Sequence, residues 1–137
     1  MKYFLLILLI SYKPCLGQSY LDKKIIVAVS DTSNLYERAR VALGKNDFII
    51  KEDGNKHFIT THPREFKKIP GFAIAHAEIK MDTVIITGHF SLMKNTNVGY
   101  TVAPKNYKPI VYYKNSHGWK LLMQVADELN GIMTFAQ

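Results

Sequence analysis

The chain has 137 residues, 47% of them hydrophobic and 21% charged, with a formal net charge of +7 and one cysteine. That length supplies one hydrophobic core and excludes two domains, and a lone cysteine excludes an internal disulfide framework. There are no repeats and no low-complexity tract.

Met1 and Lys2 precede an apolar run from Tyr3 to Ile10, then Ser11-Tyr12-Lys13, then Pro14-Cys15-Leu16-Gly17. A positive start, a short apolar middle and a small residue at the cut are the order of a secretory signal. Pro14 stops the helix of the apolar run, and Cys15 and Gly17 are small enough for the positions three and one before cleavage. The expected signal peptide is 1–17, with the cut before Gln18 and one domain over 18–137. A membrane anchor needs about 20 apolar residues, far more than this run holds. A lipoprotein cysteine follows a small, apolar tripeptide, and Tyr12-Lys13-Pro14 is not one. Cys15 is therefore expected to leave with the leader, and thiol catalysis, redox exchange and cysteine-based zinc sites leave with it. Loss of Lys2 and Lys13 lowers the 18 basic residues to about 16 against 11 acidic ones, a charge of about +5. Such a charge serves solubility, or proximity to anionic head groups, acidic glycans or an acidic protein face.

The predicted elements run as follows. Lys24 to Val29, apolar and β-branched, is a buried strand. Asn34 followed by Glu37 fits a capping box, Leu35, Ala39, Ala42 and Leu43 recur at helical spacing, and Gly44 closes the helix. Phe48 to Lys51 and His57 to Thr61 are strands about an Asp53-Gly54 turn; two- and three-residue loops bury different sets, and the pattern does not separate them. His62 to Gly71, with Pro63 and Pro70, is a loop. Phe72 to Lys80 and Thr83 to Leu92 form the clearest hairpin. Lys94 to Pro109 is polar, with one short strand near Tyr100, and Ile110 to Tyr113 is another strand. Asn115-Ser116 caps a helix to about Asn130 whose apolar face is Trp119, Leu122, Met123, Ala126 and Leu129, and Gly131 ends it. The tail, Ile132 to Phe135, is apolar enough to dock.

The expected fold is α+β: an antiparallel sheet of about five to six strands with an N-terminal and a C-terminal helix packed on one face. A strand, the Leu35–Leu43 helix, a strand, the Asp53-Gly54 turn, a strand and a closing Trp119–Leu129 helix resemble helix-grip domains. Such domains occur in small Gram-negative envelope lipoproteins, including one of the outer-membrane barrel-assembly machine. The chain also resembles the short exported proteins of unknown function that such bacteria encode in number. The resemblance implies an envelope location and binding more than catalysis, and it carries over no functional residue.

Register decides which residues of the long hairpin share a face. With Met81-Asp82 as a two-residue turn, Ala77 opposes Ile86 and Ala75 opposes Gly88. One face then collects Ala73, Ala75, Ala77, Ile79, Val84, Ile86, Phe90 and Leu92, and must be the core face. Its row of alanines lets a helix approach closely, with Trp119 or Met123 filling the space above. The sharper alternative is an apolar ligand pocket bounded by Ala75, Ala77, Trp119 and Met123, as helix-grip domains often have. The second face carries His76, Glu78 and His89, with His89 the diagonal neighbour of His76. Two imidazoles and a carboxylate are reasonable zinc ligands, although scattered His and Glu on a wet face are more often simply solvated.

Other chemistry finds less support. Ser30, Ser33, Ser91 and Ser116 sit in turns or caps without a Gly-x-Ser-x-Gly elbow, and no phosphate-cradling glycine loop or His-Glu-x-x-His helix occurs. Glu52-Asp53 and Asp127-Glu128 lie where solvation explains them. Between Lys94 and Lys120, Tyr100, Tyr107, Tyr112, Tyr113 and Trp119 alternate with Lys94, Lys105, Lys108 and Lys114. Such a mixture binds single-stranded nucleic acid, a partner an exported protein rarely meets, or a glycan; an edge strand with inward tyrosines and protective lysines is the plainer account. The sequence thus points to a non-enzymatic binding or accessory domain of the envelope, in the periplasm or released. Its partner is an envelope protein, a glycan or an apolar ligand, with no cofactor and no membrane span after processing. The alternative is a small hydrolase or metal-dependent protein using His76, Glu78 and His89.

Overall fold

A computed structural model of the chain describes residues 17–52, 54–93, 106–113 and 116–137. The elements are β1 (Lys24–Ala28), α1 (Leu35–Lys45), β2 (Ile50–Lys51), β3 (Phe58–Thr61), β4 (Arg64–Glu65), β5 (Gly71–Lys80), β6 (Thr83–Leu92), β7 (Lys108–Pro109), α2 (His117–Asp127) and β8 (Ile132–Ala136). The chain is α+β, with its strands in one antiparallel sheet ordered β2-β3-β5-β6-β1-β8. β4 pairs with β5, and β7 with β6, off that path. Among the described residues no helix is long and apolar enough to cross a membrane. Residues 1–16 of the expected leader, Cys15 among them, and the strand near Tyr100 lie outside the described residues.

The β5–β6 hairpin is the centre of the sheet, and its register is the expected one: Lys80 faces Thr83, His76 faces Thr87 and Ala75 faces Gly88. Met81, at the tip, has a positive φ of 47° and is almost wholly exposed. Asp82 accepts from the Val29 amide at 2.9 Å, which ties the tip to the end of β1. Alternation then sends Ala73, Ala75, Ala77, Val84, Ile86 and Gly88 to a buried face. Ile25 and Val27 of β1 continue that face, and the buried side chains of both helices join it in one core.

Several expectations are corrected. Among the described residues the sheet has eight strands, not five or six: β4 arises inside the segment read as a loop, and β8 is a strand beyond the last helix. Two residues of extended backbone leave no periodicity to detect, and β8 is fixed by a distant partner, β1. The β2–β3 connection is wider than a tight turn, since Lys51 faces Thr60 and β3 begins at Phe58. Asp53 itself lies outside the described residues. The strand expected at Ile110–Tyr113 starts earlier, as β7, and then crosses over: the Ile110 amide donates to Gly88, and the Tyr112 amide to Asp22.

At α1 the capping box does not form. Asn34 is left-handed (φ 51°) and its side chain makes no capping bond; a side-chain N-cap needs extended backbone there. Gly44 lies within α1, which ends at Lys45 and is capped by Asn46, whose side chain donates back to the Ala42 carbonyl at 2.9 Å. At α2, by contrast, Ser116 is extended and its hydroxyl accepts from the Trp119 amide at 3.2 Å. That helix stops at Asp127 rather than near Asn130, although Leu129 is still fully buried in the turn beyond it.

Over Gly88, at the small row, the space is filled by Ile110 and Leu122. A Cβ on Gly88 would lie 2.9 Å from Ile110 Cδ1 and 3.1 Å from Leu122 Cδ2. A Cβ on Gly118 of α2 would also strike Ile110, at 3.1 Å. Ile110 is therefore wedged between a strand glycine and a helix glycine, and this wedge sets how closely α2 approaches the sheet.

Candidate functional site

The candidate site is the open face of the sheet, opposite the core. Alternation places Ile74, His76 and Glu78 of β5 there, with Ile85, Thr87 and His89 of β6. Phe58 and Thr60 join them, because β3 pairs Phe58 with Glu78 and Thr60 with His76. Ile26 of β1 extends the face beside Ile85.

His76 and His89 come together as the diagonal register requires. His76 Nε2 lies 3.2 Å from His89 Nδ1, with ring centroids 5.3 Å apart and planes at 81°. Thr60 Oγ1 is 3.3 Å from the other ring nitrogen, His76 Nδ1. Phe58 stacks on the same imidazole at 5.7 Å and 20°. Two proton arrangements satisfy this chain of contacts. Either Thr60 donates to Nδ1 and His76 donates onward to His89, or His89 donates to Nε2 and His76 donates to Thr60. With both rings fully protonated, two N–H groups would face each other and the bond would be lost. Burial, and next to it the facing His89, hold the His76 pKa below the ordinary imidazole value.

Glu78 does not turn toward the histidines. Its carboxylate lies 2.9 Å from Lys80 Nζ, two residues along the same strand and face. Among the described residues, no three His, Cys, Asp or Glu side chains stand together as a metal would need. What the pair offers is a half-buried donor and acceptor set on paired strands.

The residues read as bounding a ligand pocket face different neighbours. Ala75 and Ala77 are fully buried on β5, the strand that α1 contacts. Trp119 is buried against Tyr112 (centroids 5.8 Å) and Phe135 (6.1 Å), toward β8. Met123 is half-buried, with its sulfur 3.7 Å from Gln18 Nε2. A groove of about 220 Å³ lies elsewhere, between α1 and the end of α2, lined in part by Arg38, Val41, Lys45 and Glu128. It is crossed by the Lys45–Glu128 ion pair at 2.8 Å.

Sequence reasoning missed Phe58 and Thr60, because their register depends on a connection whose length the pattern left open. It also missed Thr61, whose buried hydroxyl accepts from the Ala75 amide at 3.0 Å just past the Thr60–His76 pair. A threonine at the end of an apolar strand was the available signal. No protein-family model matches this chain, and no curated protein matches it in sequence.

Proposed function

We propose that the chain is an exported, non-enzymatic binding domain of the cell envelope, and that the open face of its sheet receives the partner. The observation that carries this is the composition of that face. An antiparallel sheet with one face on its core ordinarily turns polar residues to water on the other. Here the outward set includes Ile26, Phe58, Phe72, Ile74 and Ile85, interleaved with Thr60, His76, Thr87 and His89, with the Glu78–Lys80 ion pair toward the hairpin tip. A face of this kind suits an apolar partner surface that also offers a few hydrogen-bonding groups to the histidine pair. An antiparallel sheet with two helices that both contribute to one core supports the helix-grip likeness, which goes with binding. Against the hydrolytic or metal-dependent alternative stands the Glu78–Lys80 ion pair, which occupies the carboxylate.

The test is site-specific photocrosslinking in the producing cell. A photoreactive phenylalanine at Ile85 should trap one discrete partner, and Ile74→Lys in the same chain should abolish the adduct. The same probe at Val41, exposed on α1, should trap none. An equal yield from Val41, or no adduct from Ile85, Phe72 and Phe58 alike, would remove the open face as the binding surface.

A further inference from the structure

The sheet ends on two strands of unlike character. β2, at one end, is two residues long, with Lys51 and the following Glu52 both exposed. β8, at the other end, runs for five residues, Ile132-Met133-Thr134-Phe135-Ala136, with no charge, no proline and no break in its register with β1. Among the described residues β1 is its only strand partner, and Ile132 is 73% exposed. Folded proteins blunt free edges with shortness, charge, proline or a bulge, because an open row of N–H and C=O groups templates pairing. β2 is blunted in this way, and β8 is not.

We infer that β8 pairs antiparallel with β8 of a second copy, joining two sheets into one across a two-fold axis. The register centred on Thr134 is self-complementary. It sets Thr134 against Thr134 of the second copy, Met133 against Phe135, and Ile132 against Ala136. Hydroxyl–hydroxyl, sulfur–aromatic and apolar pairs of this kind are stabilising cross-strand neighbours. Two copies that each carry a net positive charge meet here along a strand without a cation. Pairing of β8 with β2 would build an open filament, and a two-residue charged β2 offers little to pair with; β8 on β8 closes after two copies. The dimer does not depend on what the open face binds. Where that face does bind, pairing makes it double and bivalent.

Sedimentation equilibrium of the processed full chain tests this. The wild type should show the dimer mass. Thr134 sits on the open face opposite Ile26, so a charge there is compatible with the monomer fold, which circular dichroism and thermal unfolding would verify. Thr134→Lys and Thr134→Glu should each place like charges across the axis and raise the dissociation constant about tenfold or more. An equimolar mixture of the two variants should recover the dimer, since opposite charges then face each other. A wild type that stays monomeric at its highest soluble concentration overturns the inference. So does a dimer that both variants leave intact, or one that the mixture fails to restore.

Discussion

His76 shows how one side chain is conditioned by its register. A strand pair puts Thr60 beside it, a diagonal neighbour puts His89 against it, and Phe58 stacks on its ring. Burial first, and His89 second, disfavour its protonated form. The unfolded chain has an imidazole pKa near 6.5, so it takes up a proton at a pH where the folded chain still resists. Below that pH the unfolded state binds more protons, and stability falls as pH falls. The contribution of His76 is thus fully present above about pH 6.5 and is lost on acidification toward its lower folded value. Asp31 and Asp47 have pKa values held low, Asp31 chiefly by Ser33 and Asp47 chiefly by Lys67, so their effects belong to a more acidic range. Urea unfolding at a series of pH values should show a midpoint that drops below pH 6.5 in the wild type. In His76→Phe, which keeps an aromatic ring beside Phe58, the drop should be smaller. Identical pH profiles for the two proteins would mean that His76 is not depressed.

At the scale of elements, the core is governed by how closely the helices meet the hairpin. Ala75 and Ala77 are without exposed surface, and the space beside them over Gly88 already holds Ile110 and Leu122. Ala75→Leu and Ala77→Leu must displace packed atoms, and overpacking of this kind costs about 1–3 kcal/mol. Chemical denaturation should find both variants less stable than wild type; either one matching wild type would reveal room that close packing denies. This hairpin was legible in the sequence because one face of its two ten-residue strands is nearly all apolar, and a slip of one residue would mix the two sets. From that register the meeting of His76 and His89 was legible too. Ser116 was legible as a cap because a serine before a helical run has a local role. What was not legible was non-local or brief. The two residues of β4 have no period, and β8 takes its place from β1, more than a hundred residues earlier in the chain. The neighbours Phe58 and Thr60 hang on the β2–β3 connection, and the loss of Glu78 to Lys80 is a rotamer choice between two partners on one face. Gly131 was read as a helix stop, yet its main constraint is spatial: a Cβ there would fall on the Ala28 carbonyl, at the junction of β8 with β1.

At the scale of the whole molecule, the residues just after the expected cleavage site are bonded into the fold. The Ser19 amide donates to the Asp22 carboxylate at 2.6 Å, and Asp22 is buried. The Leu21 amide donates to the Tyr112 carbonyl, and the Tyr112 amide returns to Asp22. A cut before Gln18 spares all of these bonds, whereas a cut a few residues later would sever the segment that anchors Tyr112 and, through it, the stretch following Ile110. The expected cut at Gln18 rests on the signal-like order of residues 1–17. The exported product should begin at Gln18, as glutamine or its cyclised pyroglutamate form, and contain no thiol, because Cys15 precedes the cut. Intact-mass analysis of the released protein should give that chain, and thiol reagents should leave its mass unchanged. Its urea midpoint should be the same with and without a reductant, since burial and hydrogen bonds alone hold it together. A product that retains an acylated Cys15 would place the domain on a membrane surface by its N-terminus. It would also overturn the reading of Cys15 as part of a discarded leader.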